Sequence, residues 1–144
     1  MAQILVVDDQ PDCRERLIQV VSAFGEVTTA DNRDEAIALI RETEFDVVVT
    51  DLRLKLDDPG DTGGLDILKA SHKKDQLIQV IVITAVGNIE TSSQAMSLEA
   101  FDYIERNNPR IDFEKVLQRK IHIAIDYRDS RRCMESGRSQ AGNA

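Results

Sequence analysis

The chain has 144 residues, of which 42% are hydrophobic and 31% are charged, a composition typical of one soluble folded domain. The formal net charge of −8 disfavours direct nucleic-acid binding, which needs an excess of basic residues. Two widely separated cysteines, Cys13 and Cys133, favour a reducing, cytoplasmic setting. No apolar run is long enough to cross a bilayer and the start of the chain lacks a signal-peptide pattern, so we expect neither a membrane span nor export.

Five apolar segments alternate along the chain with five segments of helical spacing. The predicted strands cover residues 4–7, 27–30, 45–50, 77–84 and 101–104. The predicted helices begin at Pro11, after Asn32, at Leu65, at Ile89 and after Asp112. This alternation predicts a parallel sheet that is covered by helices on both faces through right-handed crossovers.

Two of the predicted helices have features that bear on function. The helix from about Ile89 to Leu98 has few apolar residues, so we expect it to be poorly anchored and mobile. The last helix has an apolar face up to about Tyr127, after which the sequence is polar. We therefore predict a domain over residues 1–128 and a polar, frayed tail or the start of a linker over residues 129–144.

Acidic residues follow the first and third predicted strands. Asp8 and Asp9 come directly after the strand at residues 4–7, and Asp51 ends the strand that contains three consecutive valines. Because ligands of open α/β sheets collect at the carboxyl ends of the strands, we expect these three acids to meet at one edge. Carboxylates this close repel one another unless a cation joins them, and Mg²⁺ prefers such oxygen ligands. A carboxylate can also attack phosphorus and form an acyl phosphate, which makes Asp51 a candidate nucleophile.

Four motifs, each at the end of its own strand, carry a resemblance to a known family. They are Val-Val-Asp-Asp at 6–9, Thr-Asp-Leu-Arg-Leu at 50–54, Ile-Thr-Ala at 83–85 and Asp-Tyr-Ile at 102–104. In this order the chain resembles the receiver domain of bacterial two-component response regulators over about residues 3–127. The resemblance implies an α/β fold of the flavodoxin-like doubly wound (βα)5 type, with a five-stranded parallel sheet in the order 2-1-3-4-5.

The resemblance also implies roles for the acidic residues. Asp51 matches the phosphoacceptor of the family. Asp9 and Asp51 match direct ligands of Mg²⁺, Asp8 matches a ligand that acts through water, and the backbone carbonyl of Arg53 completes the protein ligands. Thr84, at the end of the fourth strand, matches the switch hydroxyl of the family.

Three further positions follow from the comparison with the family. Tyr103 matches the aromatic switch residue. The family has Lys-Pro after the fifth strand, whereas this chain has Arg106 and Asn107. Arginine keeps the positive charge beside the phosphoryl group, but its planar guanidinium differs from the point charge of lysine. The loop at residues 55–63 is longer than the usual family connection and is expected to shield the site or to contact a partner.

We therefore expect a receiver domain that takes a phosphoryl group from a histidine kinase or phosphotransfer protein and catalyses only its own phosphorylation and dephosphorylation. An effector domain or downstream protein, and a homodimer through the fourth helix, fifth strand and fifth helix, are the implied partners. Two alternatives remain open. One is a receiver-like interaction module that does not depend on phosphate. The other is a phosphatase with an aspartyl-phosphate intermediate, for which the adjacent Asp8 and Asp9 are a poor match to the required Asp-x-Asp.

Overall fold

A computed structural model describes residues 1–55, 57–85 and 87–142, with side chains described up to Met134. Leu56 of the predicted long loop and the last two residues of the predicted tail lie outside the described residues. The strands are β1 (Ala2–Val7), β2 (Gly25–Ala30), β3 (Val47–Asp51), β4 (Gln79–Thr84) and β5 (Asp102–Glu105). The helices are α1 (Pro11–Val21), α2 (Arg33–Glu42), α3 (Gly63–Lys74), α4 (Ile89–Ser97) and α5 (Phe113–Gly142).

The five strands form one parallel sheet in the order β2-β1-β3-β4-β5, so the predicted doubly wound α/β fold is confirmed. The valine run of β3 is explained by burial on both faces. Val48 packs in the core under α2 and α3, while Val47 and Val49 pack on the other side with residues of α1 and α5. In the part of the chain that the structure describes, no helix has both the length and the apolar character needed to cross a membrane.

The helix starts follow the sequence signals closely. Pro11 is the first residue of α1. The side chain of Asn32 caps α2 by accepting the Glu35 backbone N–H at 2.8 Å. Asn88 caps α4 in the same way. Ala95 is the one residue of α4 that is fully buried, so the prediction that this helix has a small apolar anchor agrees with its packing.

The last helix differs from the prediction because α5 does not end near Tyr127 but continues to Gly142. Arg128 forms an ion pair with Asp46, which precedes β3, and the two side chains are only 14% and 13% exposed. The Asp46 carboxylate also accepts the backbone N–H of Gln3 at 2.7 Å. One turn further on, Arg132 donates to Asp75 at 2.9 Å. Ion pairs to the amino-terminal edge of the sheet therefore hold a stretch of α5 that has no apolar stripe, while the division at residue 128 remains a prediction.

We predict that Arg128→Gln lowers the free energy of unfolding by about 2–3 kcal/mol, because it leaves the largely buried Asp46 carboxylate without its cation. The matched control is Arg131→Gln, which removes the same charge from an exposed position on the same helix. Urea titrations of both variants give the comparison. Equal stabilities of the two variants would contradict a structural role for the Arg128–Asp46 pair.

Candidate functional site: an acidic cleft at the carboxyl edge of the sheet

The pairing of β1 with β3 brings the predicted acids together. Val7 is in register with Thr50, so the next residues, Asp8 after β1 and Asp51 at the end of β3, lie side by side at this edge. Asp8, Asp9 and Asp51 each present a carboxylate oxygen, and these oxygens lie within 4.8 Å of one another. Clustered carboxylate oxygens fit the ligand preference of a hard divalent cation such as Mg²⁺. The cluster can therefore bind a metal ion.

Asp8 is the most deeply buried acid of the cluster, and its side chain is 0% exposed. One carboxylate oxygen accepts the backbone N–H of Gln10 at 2.9 Å. The other accepts a guanidinium N–H of Arg106 at 3.1 Å. The backbone carbonyl of Asp8 also accepts an N–H from the Arg14 guanidinium at 2.9 Å. Asp8 is therefore held in place by its hydrogen bonds, whereas Asp9 and Asp51 are partly exposed at the surface of the cleft.

Burial and the neighbouring acids change the pKa of Asp51. The pKa of its carboxyl is raised from 3.8 to about 7. Burial is the largest cause, the nearby carboxylate of Asp8 is the next, and Asp9 contributes less. The positive charge of Arg106 acts in the opposite direction. Without a metal ion the cluster thus holds more negative charge than its surroundings offset, which is the condition under which a divalent cation binds most favourably.

Asp9 and Asp51 line a cleft of about 550 Å³, while Asp8 is buried behind them. Thr84, buried at the end of β4, and Arg106 contribute to its lining together with Arg53. The loop residues 59–62 form part of one wall, and Glu90, Thr91 and Gln94 of α4 also line the cleft. The long loop therefore lies beside the acids, as predicted.

Arg106 is placed by two structural features. Its backbone N–H donates to the carbonyl of Thr84 at 2.7 Å, which joins the end of β5 to the end of β4. Its guanidinium lies over the ring of Phe113, at 5.8 Å from the ring centroid, and pairs with Asp8. The cation expected to face a phosphoryl group is therefore, in this structure, bonded to one of the acids.

Tyr103 connects β5 to α4. Its hydroxyl group and that of Thr91 are hydrogen-bonded at 2.7 Å. Its ring lies so close to Gly87 that a Cβ atom there would be 2.9 Å from a ring carbon. The predicted aromatic switch residue therefore contacts the start of the weakly anchored α4 directly.

Sequence reasoning missed several residues that shape the site. Gly64, in the first turn of α3, passes so close to β3 that a Cβ atom would collide with the backbone carbonyl of Asp51. The Asp61 carboxylate accepts the backbone N–H groups of Leu54 at 2.7 Å and Gly63 at 3.2 Å, which holds the long loop against the helix. The paired glycines at 63–64 are the signal in the sequence that points to this close approach. Gln10 and Arg14 carry no such signal, because their contacts with Asp8 depend on how α1 leaves β1.

A doubly wound sheet in the order 2-1-3-4-5, with three acids, a buried hydroxyl and a cation at its carboxyl edge, defines a class of phosphoacceptor domains. A family model described as the response regulator receiver domain matches residues 4–118. The chain belongs to this family.

Particular relatives agree with this assignment. The chain is 35% identical over 104 residues to the response regulator protein PilR of Pseudomonas aeruginosa. The matched segment covers 71% of this chain and 22% of PilR. The solved receiver domain of NtrX from Brucella abortus is 30% identical, with a TM-score of 0.71, over 85% of this chain and 98% of that domain. A response regulator of Burkholderia pseudomallei, solved with a phosphorylated aspartic acid, a calcium ion and citrate, is 26% identical over 81% of this chain and 65% of that one, with a TM-score of 0.67. The chain spans only about a quarter of the first curated relatives it matches.

The raised pKa of Asp51 predicts a pH-dependent stability in metal-free buffer. Between pH 4 and 7 the folded chain binds more protons than the unfolded chain, so the free energy of unfolding falls as the pH rises. From pH 5 to pH 8, the free energy of unfolding of the native chain should therefore fall by about 2 kcal/mol more than that of Asp51→Asn. Urea titrations with a chelator at both pH values measure this difference. Asp12→Asn, an exposed acid in the first turn of α1, is the control, and identical pH slopes for Asp51→Asn and the native chain would contradict the prediction.

Proposed function

We propose that the chain is a phosphoacceptor domain that takes a phosphoryl group from a histidine kinase or phosphotransfer protein onto Asp51. The observation that supports this most directly is the position of the Asp51 carboxyl group. It shares the edge of the sheet with Asp8 and Asp9, within 4.8 Å, and lines one cleft with Thr84 and Arg106. That set supplies a nucleophile, a metal site, a hydroxyl donor and a cation, which are the groups that phosphoryl transfer to a carboxylate requires.

In the proposed reaction an oxygen of the Asp51 carboxylate attacks the phosphorus of a phosphohistidine. A P–O bond forms, the P–N bond breaks, and the imidazole of the donor leaves with the electron pair. The product is an acyl phosphate on Asp51. Hydrolysis of this bond by water returns the carboxylate and releases inorganic phosphate, so the domain catalyses only its own phosphorylation and dephosphorylation.

We assign the metal ligands as follows: Asp9 and Asp51 bind Mg²⁺ directly, Asp8 acts through water, and the backbone carbonyl of Arg53 completes the protein ligands. The ion neutralises negative charge on the carboxylates and on the phosphoryl oxygens. Two observations support a hard cation at this position. The donors are carboxylate oxygens, and the pKa of Asp51 is raised to about 7 in part because the neighbouring acids are negatively charged.

Thr84 and Arg106 provide the remaining stabilisation in this proposal. The Thr84 hydroxyl lies at the end of β4, next to the strand that carries Asp51, and donates a hydrogen bond to a phosphoryl oxygen. The Arg106 guanidinium supplies positive charge and N–H donors from the end of β5. Both act on charge that develops in the transition state.

The proposed switch runs from Thr84 to Tyr103 and α4. When Thr84 moves toward the phosphoryl group, the population of Tyr103 positions changes, and the hydrogen bond to Thr91 transmits that change to α4. The face formed by α4, β5 and α5 then binds an effector domain, a downstream protein or a second copy of the chain. We place the domain in the cytoplasm, where a kinase and an effector can reach it, and assign it no direct contact with nucleic acid or membrane.

We predict that acetyl phosphate or a cognate kinase, with Mg²⁺, labels the native chain and leaves Asp51→Asn unlabelled, because the amide is a poor nucleophile for phosphorus. Intact-mass spectrometry measures the added phosphoryl group. Asp12→Asn serves as the matched control and should be labelled like the native chain. Labelling of Asp51→Asn at another residue would refute the assignment of the phosphoacceptor.

The same samples test the switch. Beryllofluoride with Mg²⁺ mimics the phosphoryl group, so it should shift the NMR signals of the Tyr103 ring and of Thr91 in the native chain. Unchanged signals, in a chain that does bind beryllofluoride, would favour an interaction module whose binding surface does not respond to phosphate.

A further inference from the structure

We infer that Arg106 competes with the divalent cation for Asp8, so that binding of the metal and release of the guanidinium form one coupled step. In this view Arg106 is an internal counter-cation of the resting cluster. Only after displacement from Asp8 is it available to a phosphoryl group. The inference rests on the proposed metal site and concerns a residue at which the chain departs from the family pattern.

The first observation is that each oxygen of the Asp8 carboxylate already accepts a hydrogen bond. Its side chain is fully buried, one oxygen accepts the Gln10 N–H at 2.9 Å, and the other accepts Arg106 at 3.1 Å. A cation that approaches the oxygen bonded to Arg106, directly or through water, must therefore share that oxygen with the guanidinium or replace it. The bond from Gln10 is fixed by the local turn and is not positively charged, so Arg106 is the partner that a metal ion displaces most readily.

The second observation is that the Arg106 side chain also contacts Phe113, independently of Asp8. The guanidinium lies 5.8 Å from the centroid of the Phe113 ring, and its side chain is 15% exposed. A cation over an aromatic face is stabilised most when it is largely removed from water. The guanidinium can therefore leave Asp8 and stay over Phe113, within reach of the cleft that Arg106 lines.

Arginine suits this double contact better than lysine. A planar guanidinium can donate a hydrogen bond at its edge and present its face to an aromatic ring at the same time, whereas a lysine ammonium is a compact point charge. The Arg106 side chain therefore holds its resting contact through two partners. Its replacement should change the affinity for metal even when no phosphoryl donor is present.

The direction of that change follows from charge. Loss of Arg106 removes the positive group that both opposes a second cation and occupies Asp8, so the cluster should bind metal more tightly. The metal-free protein should become less stable at the same time, because Asp8 stays buried without its partner. These two effects have opposite signs, which separates competition for Asp8 from a purely structural role.

The test is an isothermal titration of Mg²⁺ into the full chain without any phosphoryl donor. Arg106→Gln should lower the dissociation constant by about fivefold or more relative to the native chain. Arg110→Gln is the matched control, since it removes one positive charge from an exposed position in the same loop, and should change the constant by less than about twofold. Unchanged or weaker binding by Arg106→Gln would overturn the inference.

Thermal unfolding gives the second measurement. Without metal, Arg106→Gln should melt below the native chain, and Mg²⁺ should raise its midpoint by more than it raises the native midpoint. If Arg106→Gln melts below the native chain by the same amount with and without Mg²⁺, Arg106 has a structural role only and the inference is overturned.

A measurement on the native chain covers the case in which Arg106→Gln does not fold. The Nε–Hε signal of Arg106, assigned with Arg106→Lys, should shift as Mg²⁺ is added, because the guanidinium loses its bond to Asp8. A signal that stays in place while the metal binds would overturn the inference. These titrations need no phosphate, so they are independent of the labelling experiment. If Asp51 is not labelled but Arg106→Gln binds Mg²⁺ more tightly, only the proposed function is refuted. If Asp51 is labelled but Arg106→Gln leaves the metal affinity unchanged, only this inference is refuted.

Discussion

Like charges held together by the backbone are the constraint on which the site depends. The register of β1 against β3 fixes Asp8 beside Asp51, and the carboxylate oxygens of the cluster lie within 4.8 Å. Backbone hydrogen bonding across the sheet holds this arrangement in place against the repulsion between the acids. The repulsion is then reduced by a raised pKa at Asp51 and by the positive charge of Arg106. A divalent cation bound by the three acids would reduce it further, as the proposed function requires.

The two edges of the sheet have different energetics. At the carboxyl edge the charges are incompletely compensated, and the neighbouring α4 is held by one fully buried residue, Ala95, and by the hydrogen bond between Thr91 and Tyr103. At the amino-terminal edge, Asp46 and its ion pair with Arg128 join β1, β3 and the long α5. An element with few apolar contacts can change position at little free-energy cost, whereas the amino-terminal edge of the sheet, which the Arg128–Asp46 ion pair holds, resists change. Under the proposed function, phosphorylation at the carboxyl edge is therefore expected to move α4 while the sheet and α5 stay in place.

The elements that sequence reasoning predicted well are those specified by local pattern. Runs such as Val47–Val49 report burial on both faces of a strand, and Asn32 reports a helix cap, so the order of elements and the edge that carries Asp51 could be predicted. The extent of α5 could not, because residues beyond Tyr127 lack an apolar face. Within the side chains that the structure describes, Arg128 and Arg132 form ion pairs with Asp46 and Asp75, which lie far away in sequence.

The functional site likewise contains residues whose positions could be predicted from the sequence and residues whose positions could not. The motifs of the receiver family located the three acids and Thr84 by their places at strand ends, and Tyr103 by its place within the fifth strand. The resting position of Arg106 was not predictable, since it depends on Asp8 at the end of a different strand and on Phe113 at the start of α5. The close approach of Gly64 to the backbone of Asp51 likewise arises only when the loop and α3 fold back over β3.

The most direct test of the shared metal site is X-ray diffraction from crystals of the chain grown with Mn²⁺, using anomalous scattering to locate the ion. We predict one strong anomalous peak in the cleft, with carboxylate oxygens of Asp9 and Asp51 as direct ligands and Asp8 reached through water. A peak that contacts only one of these acids, or an empty cleft at a Mn²⁺ concentration that supports phosphorylation, would contradict the proposal that a single ion joins the cluster.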